Sequence, residues 1–392
     1  MKKILLAVSL LTSIHAFGQS SKLHKKAVVV DTHGDIMSDQ IRSGIDVGKR
    51  QPGGNFDLVR AREGGLDVQV FSIWSDASGG FALANRQIDS LNALARRHAD
   101  KLQLVKTASE LESVVRSKRM AGMIGVEGGH MIESRIDYLE ALAARGMTYM
   151  TLTWNNSTPW ASSAYDETFK RDSLKHLGLT DLGKKIIKRM NELGVIVDLS
   201  HVGETTVNDV LKITTKPVMA SHSSAYKFNA HQRNLKDEQI KGIARTGGVV
   251  FVNFYSGFLD STYSGKQAKF IADHKAELAE LTKKYSSRSK AQNEINEKYK
   301  QEIYYMRAPL ELLIDHIDHM VKLVGSEHVG LGADYDGAES YPQHLDDVSN
   351  YPVITDALLK RGYAEKDIIN ILGANFVRLL KANKAVTSLR SQ

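Results

Sequence analysis

The chain has no cysteine among its 392 residues. No disulfide can form and no thiolate can hold a metal. Any ion must rest on histidine and carboxylate, which suits a catalytic site and argues against a structural zinc. An anchor through a lipid-modified cysteine is excluded for the same reason. Past the first residues, no apolar run is long enough for a transmembrane helix. A glycine-rich turn after the first strand-like run would announce a nucleotide, but the turn here is DTHGD. No G-x-S-x-G elbow occurs, so serine hydrolysis has no nucleophile in its usual frame. Excess charge is missing too, once it is located. The net charge is +7, yet the segment from Lys266 to Arg307 alone carries ten basic against six acidic residues. The remainder is nearly balanced, which leaves no footprint for nucleic acid. There is no fixed-period repeat and no low-complexity stretch.

What is present is the composition of a globular chain with a packed core, 42% apolar and 25% charged. The N-terminus stands apart from it. Met-Lys-Lys is a basic start, ILLAVSLLTSI a short apolar stretch, and Ala16-Phe17-Gly18 a small-x-small cleavage site. This pattern predicts a secretory signal peptide over residues 1–18, cut before Gln19. The expected product is exported, periplasmic or secreted, with one domain over 19–392.

Eight short runs, mostly rich in Val, Ile, Thr or aromatics, read as strands covered on both faces. They lie at 27–31, 66–74, 121–127, 147–154, 194–199, 217–221, 247–254 and 328–333. Helical patterns fall between most of them, at 84–99, 136–145, 180–193, 204–213, 236–246 and 309–324. The alternation predicts a parallel sheet. Eight repeats of the unit predict an α/β fold of the TIM type, a closed (β/α)₈ barrel rather than an open sheet. A loop at 44–57 and a charged segment at 264–306 interrupt the pattern. In the latter, Phe270, Leu278, Leu281 and Tyr285, then Ile295, Tyr299 and Ile303, recur at helical spacing. A long helix or helical hairpin is expected there, packed on the barrel flank or serving as a lid or homodimer contact.

Six segments end alike. A β-rich apolar run stops at a polar residue: His33 and Asp35, Glu127, His201, His222, then Asp334 and Asp336, with Trp154, Asn155 and Asn156 as a counterpart without ligands. Enzymes on the barrel fold build their sites at that face, and three histidines with several carboxylates there form a candidate two-metal hydrolytic centre. His33 and Asp35 are two apart and can point at one cation. Glu127, followed by Gly128 and Gly129, can bridge two. His201 and His222 suit a second ion as neutral imidazoles. Asp334 can move a proton between water and a leaving amine. Asp336, with Gly337 behind it, reads as a turn residue or a support. Ile314, Ile317 and Val321 supply the apolar face of their helix, which predicts exposure for His316 and His319.

These motifs together resemble the membrane (renal-type) dipeptidases and their bacterial relatives, within the amidohydrolase-like metal barrels. The resemblance runs from about Val28 to about Leu379. It rests on D-x-H-x-D at 31–35, E-G-G at 127–129, T-L-T-x-N at 151–155 with T-P-W at 158–160, D-L-S-H at 198–201, S-H-S-S-A at 221–225, Arg233-Asn234 and G-x-D-x-D-G at 332–337. It implies a binuclear zinc centre that cleaves dipeptides. His33 and Asp35 would hold one ion, His201 and His222 the other, and Glu127 would bridge. A bridging hydroxide would attack the peptide carbonyl, Asp334 would shuttle the proton, and Arg233 would clamp the substrate's C-terminal carboxylate. In one respect the chain departs from the pattern. Renal-type members carry a histidine after T-L-T that contacts the substrate, and here it is Trp154. Asn155 or Asn156 would then supply the oxyanion donor, or the metals would suffice. The competing readings are a related barrel acting on a lactone, cyclic amide or phosphoester, and a non-enzymatic binding protein.

Overall fold

Residues 68–74 are apolar except for Gln69 and Ser72, and every residue but the last is buried. Successive side chains of a strand point to opposite faces. Val68 and Val70 pack with Ala121 and Met123 inside a ring of strands, while Phe71 and Ile73 pack outward into a larger core under the helices. The computed structural model describes residues 20–37 and 43–385. The signal peptide expected over 1–18 lies outside the described residues.

Among the described residues nine strands are numbered in chain order: β1 (Val30–Gly34), β2 (Val68–Trp74), β3 (Leu102–Leu104), β4 (Met120–Glu127), β5 (Met147–Thr151), β6 (Ile196–Asp198), β7 (Met219–Ala220), β8 (Val249–Val252) and β9 (Val329–Leu331). All pair in parallel, in the order β1-β2-β4-β5-β6-β7-β8-β9. The ring closes between its first and last members. The Asp334 N–H donates to the His33 carbonyl at 3.1 Å, and the Asp35 N–H to the Tyr335 carbonyl at 2.9 Å. This is the expected eight-stranded TIM-type barrel. The three-residue strand β3 was not expected. It pairs with Met120–Gly122 of β4, just before β5 takes over at Ile124, and it is too short to show a period.

Boundaries moved in physically intelligible ways. The first strand was expected to stop at Asp31, but β1 runs on to Gly34, because pairing to Phe71 and a bridge to Tyr335 continue past the apolar run. His33 therefore lies within the strand, not beyond it. The six expected helices are found, as Phe81–Arg97, Ile136–Ala144, Asp181–Leu193, Glu204–Ile213, Asp237–Arg245 and Leu310–Val324. Thr180 begins the third of these by accepting the Gly183 N–H, a cap worth about 1 kcal/mol. Segment 264–306 is three helices, Tyr263–Tyr285, Arg288–Lys298 and Lys300–Met306. Ser286, at φ +48°, ends the first. Phe270 and Ile295 are buried between the arms, and Glu277 meets both Lys298 and Tyr299 at 2.6 Å. The C-terminal helix Asn375–Ala382 brings Phe376 and Leu379 into the inner cluster, against Phe251.

The expected exposure of His316 is wrong. Its side chain is fully buried. Nδ1 accepts the Ala225 N–H at 3.0 Å, and Nε2 donates to the Leu259 carbonyl at 3.1 Å. The apolar stripe of its helix is wide enough to carry a histidine whose two ring nitrogens both have backbone partners. His319 is partly buried against Asp237, at 2.7 Å.

Candidate metal centre

The inward alternation of the strands continues to their carboxyl ends and brings polar residues there. On β2 the inward set is Val68, Val70, Ser72 and Trp74. On β4 it ends at Gly125 and Glu127, and on β5 at Tyr149 and Thr151, with Trp74, Glu127 and Thr151 in register. Glu127 is buried, and its two oxygens face different partners. Oε2 lies 3.2 Å from His33 Nε2 and accepts from the Ser72 hydroxyl at 3.1 Å. Oε1 lies 2.9 Å from His201 Nε2 and 3.5 Å from His222 Nε2. On the β1 side, His33 Nε2 is 3.9 Å from Asp35 Oδ2 and 4.0 Å from Asp334 Oδ1. Ligand atoms of His33, Glu127 and His222 lie within 4.8 Å of one another, as do those of His33, Asp35 and Asp334.

Each imidazole is held from behind through Nδ1. The Tyr149 hydroxyl donates to the Thr32 carbonyl at 3.1 Å, so its oxygen accepts from His33 Nδ1, 2.8 Å away. The Asn155 side-chain carbonyl is 3.1 Å from His201 Nδ1. The Ser221 hydroxyl donates to the buried Asp198 at 2.6 Å and accepts from His222 Nδ1 at 2.7 Å. With a proton on Nδ1 in all three, three Nε2 atoms converge on Glu127. Neutral His201 and His222 present lone pairs there, and His33 would do so where an ion takes the place of its second proton, the arrangement that orients metal-ligating histidines. Tyr149 can reach across because Gly125 leaves room: a Cβ there would lie 2.2 Å from the Tyr149 ring.

Three carboxylates with little exposure crowd the centre, a surplus of negative charge that a cation would balance. Burial raises Asp35 and Asp334, and the Glu127 charge raises both further. Burial would raise Glu127 as well, but the three histidines hold it well below its ordinary range. Burial works against a charge on His33, yet Glu127, Asp35 and Asp334 push its pKa up to about 10. Burial keeps His201 and His222 neutral, the former at about 4. A divalent ion answers the same demand with its own charge, and these donor types fit zinc or another borderline cation.

Backbone strain is concentrated at this rim. His201 and Asp334 sit at φ +63° and +62°, a conformation costing non-glycine residues about 1–3 kcal/mol. Gly337 separates two carboxylates: a Cβ would lie 2.3 Å from both Asp334 Oδ1 and Asp35 Oδ2. The other Asp334 oxygen accepts from Asn253 Nδ2 at 2.9 Å. Asp336 accepts the Asn55 N–H at 2.7 Å, which ties the loop after β1 to the turn after β9.

A cavity of about 520 Å³ opens over the centre, and Asp35, Glu127, His201 and Asp334 line its floor. Arg233 lines it too. It is 4% exposed, and neither Nε nor Nη1 has a hydrogen-bond partner. Its guanidinium stands 5.3 Å over the Phe258 ring, and burial lowers its pKa to about 10. A buried guanidinium with unused donors calls for an anion. Trp154 and Asn155 line the cavity, while Asn156 is not among the described lining residues. The residues that sequence reasoning missed are Tyr149, Asp198, Ser221, Asn253 and Trp74. Asp198 and Ser221 were within reach, because they stand inside the D-L-S-H and S-H-S motifs. Nothing in the sequence marks Asn253.

A closed barrel with three histidines and three carboxylates at the carboxyl ends of its strands defines the class of metal-dependent barrel hydrolases. The family profile described as membrane dipeptidase (peptidase family M19) matches residues 18–392. The chain belongs to that family and is an enzyme of the metallodipeptidase type. An uncharacterized dipeptidase of Schizosaccharomyces pombe is 30% identical over 384 residues, 92% of this chain and 82% of the relative. Human dipeptidase 3 is 29% identical over 374 residues, 93% and 67% of the two chains. Among solved structures, the probable dipeptidase PvdM of Pseudomonas aeruginosa superposes with a TM-score of 0.78 at 21% identity, covering 94% of this chain and 98% of its own. A metallo peptidase of Rhodobacter sphaeroides, solved with a phosphinate mimic of the dipeptide L-Ala-D-Ala, gives 0.73 at 22%, covering 91% and 99%. At these identities the structures speak to the fold alone.

Proposed function

We propose that the protein is exported and hydrolyses the peptide bond of dipeptides at a centre of two zinc ions. The observation that carries the proposal is the division of labour at Glu127, with one oxygen toward His33 and the other toward His201 and His222. His33 with Asp35 would hold one ion, His201 with His222 the other, and Glu127 would bridge them. When bound, such a pair supplies a hydroxide nucleophile at neutral pH and polarises the scissile carbonyl. Arg233 receives the carboxylate that ends the dipeptide, which gives its unused donors partners and limits substrate length. Asp334 takes up a proton at Oδ1 and returns it to the leaving amine, while Asn253 holds Oδ2. Asn155 orients His201. The whole of 19–392 forms one catalytic domain, with the helices of 264–306 as an excursion from it. Export rests on the pattern of residues 1–18, and the family match begins at residue 18.

The test is turnover of a dipeptide panel by the mature chain, with elemental analysis of the same preparation. Two divalent ions per chain and activity abolished by a strong chelator are expected. C-terminally amidated dipeptides should be poor substrates. Arg233→Ala should weaken binding of the free acid by about 2–5 kcal/mol, the usual loss for one partner of a buried charge pair. Chelator-resistant activity would overturn the metal centre, and equal rates on amides and acids would overturn the role of Arg233. N-terminal sequencing of the exported protein should begin at Gln19.

A further inference from the structure

Trp154 replaces a histidine that the resembled dipeptidases use, and the structure shows what it does instead. Its ring meets Trp74 edge to face, with centroids 5.2 Å apart at 70°, and lies 6.3 Å from the His201 ring. Trp74 pairs in register with Glu127 and so points, like Glu127, into the barrel mouth. Both indoles line the cavity, and both are partly exposed. They form an aromatic wall beside the metal ligands, built from β2 and from the segment after β5.

The order of the strands places this wall relative to Arg233. In the closed ring β2 stands four places from β7, directly across the mouth, and Arg233 follows β7. A dipeptide whose C-terminal carboxylate meets Arg233 therefore extends its other residue toward Trp74 and Trp154. Two indoles steeply inclined to each other offer one face and one edge, the surface that an aromatic ring or a branched aliphatic chain fills best. A cationic side chain is disfavoured there, because it would approach the ions that Glu127 and His201 would hold.

We propose that Trp74 and Trp154 are specificity-determining residues, forming the subsite for the side chain of the substrate's N-terminal residue and selecting aromatic or large aliphatic groups there. The proposal rests on the dipeptide reading and on the carboxylate clamp at Arg233.

The experiment compares kcat/KM for Phe-Ala, Leu-Ala, Ala-Ala, Lys-Ala and the reversed Ala-Phe. Phe-Ala and Leu-Ala should exceed Ala-Ala by about tenfold or more, the discrimination an apolar pocket achieves. Lys-Ala and Ala-Phe should not. Trp154→His and Trp154→Ala should bring the Phe-Ala to Ala-Ala ratio close to one, and Trp154→Phe should keep most of it. Dipeptide binding, followed by quenching of indole fluorescence, should show the same order. If all five dipeptides are cleaved at similar rates, or the ratio survives Trp154→Ala, the wall is overturned while the dipeptidase reading stands. If none is cleaved, that reading fails. The fluorescence titration then still decides the wall, and equal quenching by Phe-Ala and Ala-Ala overturns it.

Discussion

The side-chain carbonyl of Asn155 lies 3.1 Å from Nδ1 of His201. A carbonyl oxygen can only accept, so the proton sits on Nδ1 and the Nε2 lone pair faces Glu127. The sequence offers Asn155 or Asn156 as an oxyanion donor, or the metals alone, and the contact with His201 gives Asn155 a second candidate role, as a positioning residue. The two roles separate cleanly by substitution. Asn155→Asp keeps the acceptor and removes the donor, whereas Asn155→Ala removes both. Asn155→Ala should lower metal affinity or turnover about 10–100-fold, as loss of an outer partner of a metal-ligating histidine does, and Asn155→Asp should recover most of it. Metal titration and kcat on both variants provide the check. If Asn155→Asp is as poor as Asn155→Ala in turnover but binds metal normally, the oxyanion role is restored.

A second support crosses the barrel interior. Gly125 makes room for Tyr149, whose hydroxyl reaches His33 Nδ1 at 2.8 Å. Gly125→Ala places a methyl against that ring and should destabilise the fold by about 1–3 kcal/mol, the usual cost of overpacking a filled core. Tyr149→Phe keeps the ring and removes the acceptor for His33 together with the donor to the Thr32 carbonyl. It should unfold near the wild-type temperature yet bind metal about tenfold more weakly or worse. Thermal melts with and without chelator distinguish packing from ligation. A Tyr149→Phe protein with unchanged metal affinity would show that His33 needs no support from behind.

Much of this was legible before the fold was known, and for a physical reason. A parallel barrel covers its strands on both faces, so each strand is a short apolar run, and the first polar residue after the run falls on the functional rim. That rule points directly to Glu127 and Asp334; in the runs before His201 and His222 the first polar residues are Asp198 and Ser221, and the histidines follow them by three residues and by one. It singled out His33 but set the strand's end too early, at Asp31, because pairing to β2 and Tyr335 carries β1 beyond its apolar residues. It could not find Tyr149 or Trp74, which lie inside apolar runs and count as core until the inward phase is known. His316 failed for the opposite reason. Periodicity treats histidine as polar, whereas an imidazole with the Ala225 N–H and the Leu259 carbonyl as partners can be buried as completely as leucine.

That buried imidazole has a consequence in pH. Burial lowers the pKa of His316 from 6.5 to about 4, against the opposing effect of the hydrogen bond to the Leu259 carbonyl. The folded state therefore keeps it neutral where the unfolded chain would protonate it. Its contribution to stability is fully present above pH 6.5 and is lost as pH falls toward about 4. At about 1.4 kcal/mol per unit, the loss is on the order of a few kcal/mol. His316→Gln, which does not titrate, should show a smaller fall in unfolding free energy between neutral and mildly acid pH. Denaturant melts of both proteins across that window measure the difference. Parallel pH profiles would mean that the His316 ring titrates no differently in the folded chain.

Asp334 provides the sharpest test of the chemistry. It is held on every side: Oδ2 by Asn253 at 2.9 Å, its carbonyl by Tyr341 at 3.0 Å, and its N–H by the His33 carbonyl at 3.1 Å. Only Oδ1 is left to face the ligand cluster, 4.0 Å from His33 Nε2. Asp35 Oδ2 stands at nearly the same distance, 3.9 Å, so substitution, not distance, separates a ligand from a proton carrier, which needs a carboxylate that can change charge. Asn has nearly the same shape and cannot take up a proton. Asp334→Asn should therefore fold, keep most of its metal and lose about 10²–10⁴-fold in turnover, the range for a general acid–base group. Because burial and the Glu127 charge raise the Asp334 pKa, the wild-type rate should fall on the acid side as this carboxylate is protonated, and the variant's profile should lack that limb. Turnover, pH profile and metal content on one preparation decide the matter. Full activity in Asp334→Asn would move the proton step to Asp336, and complete loss of metal would make Asp334 a ligand.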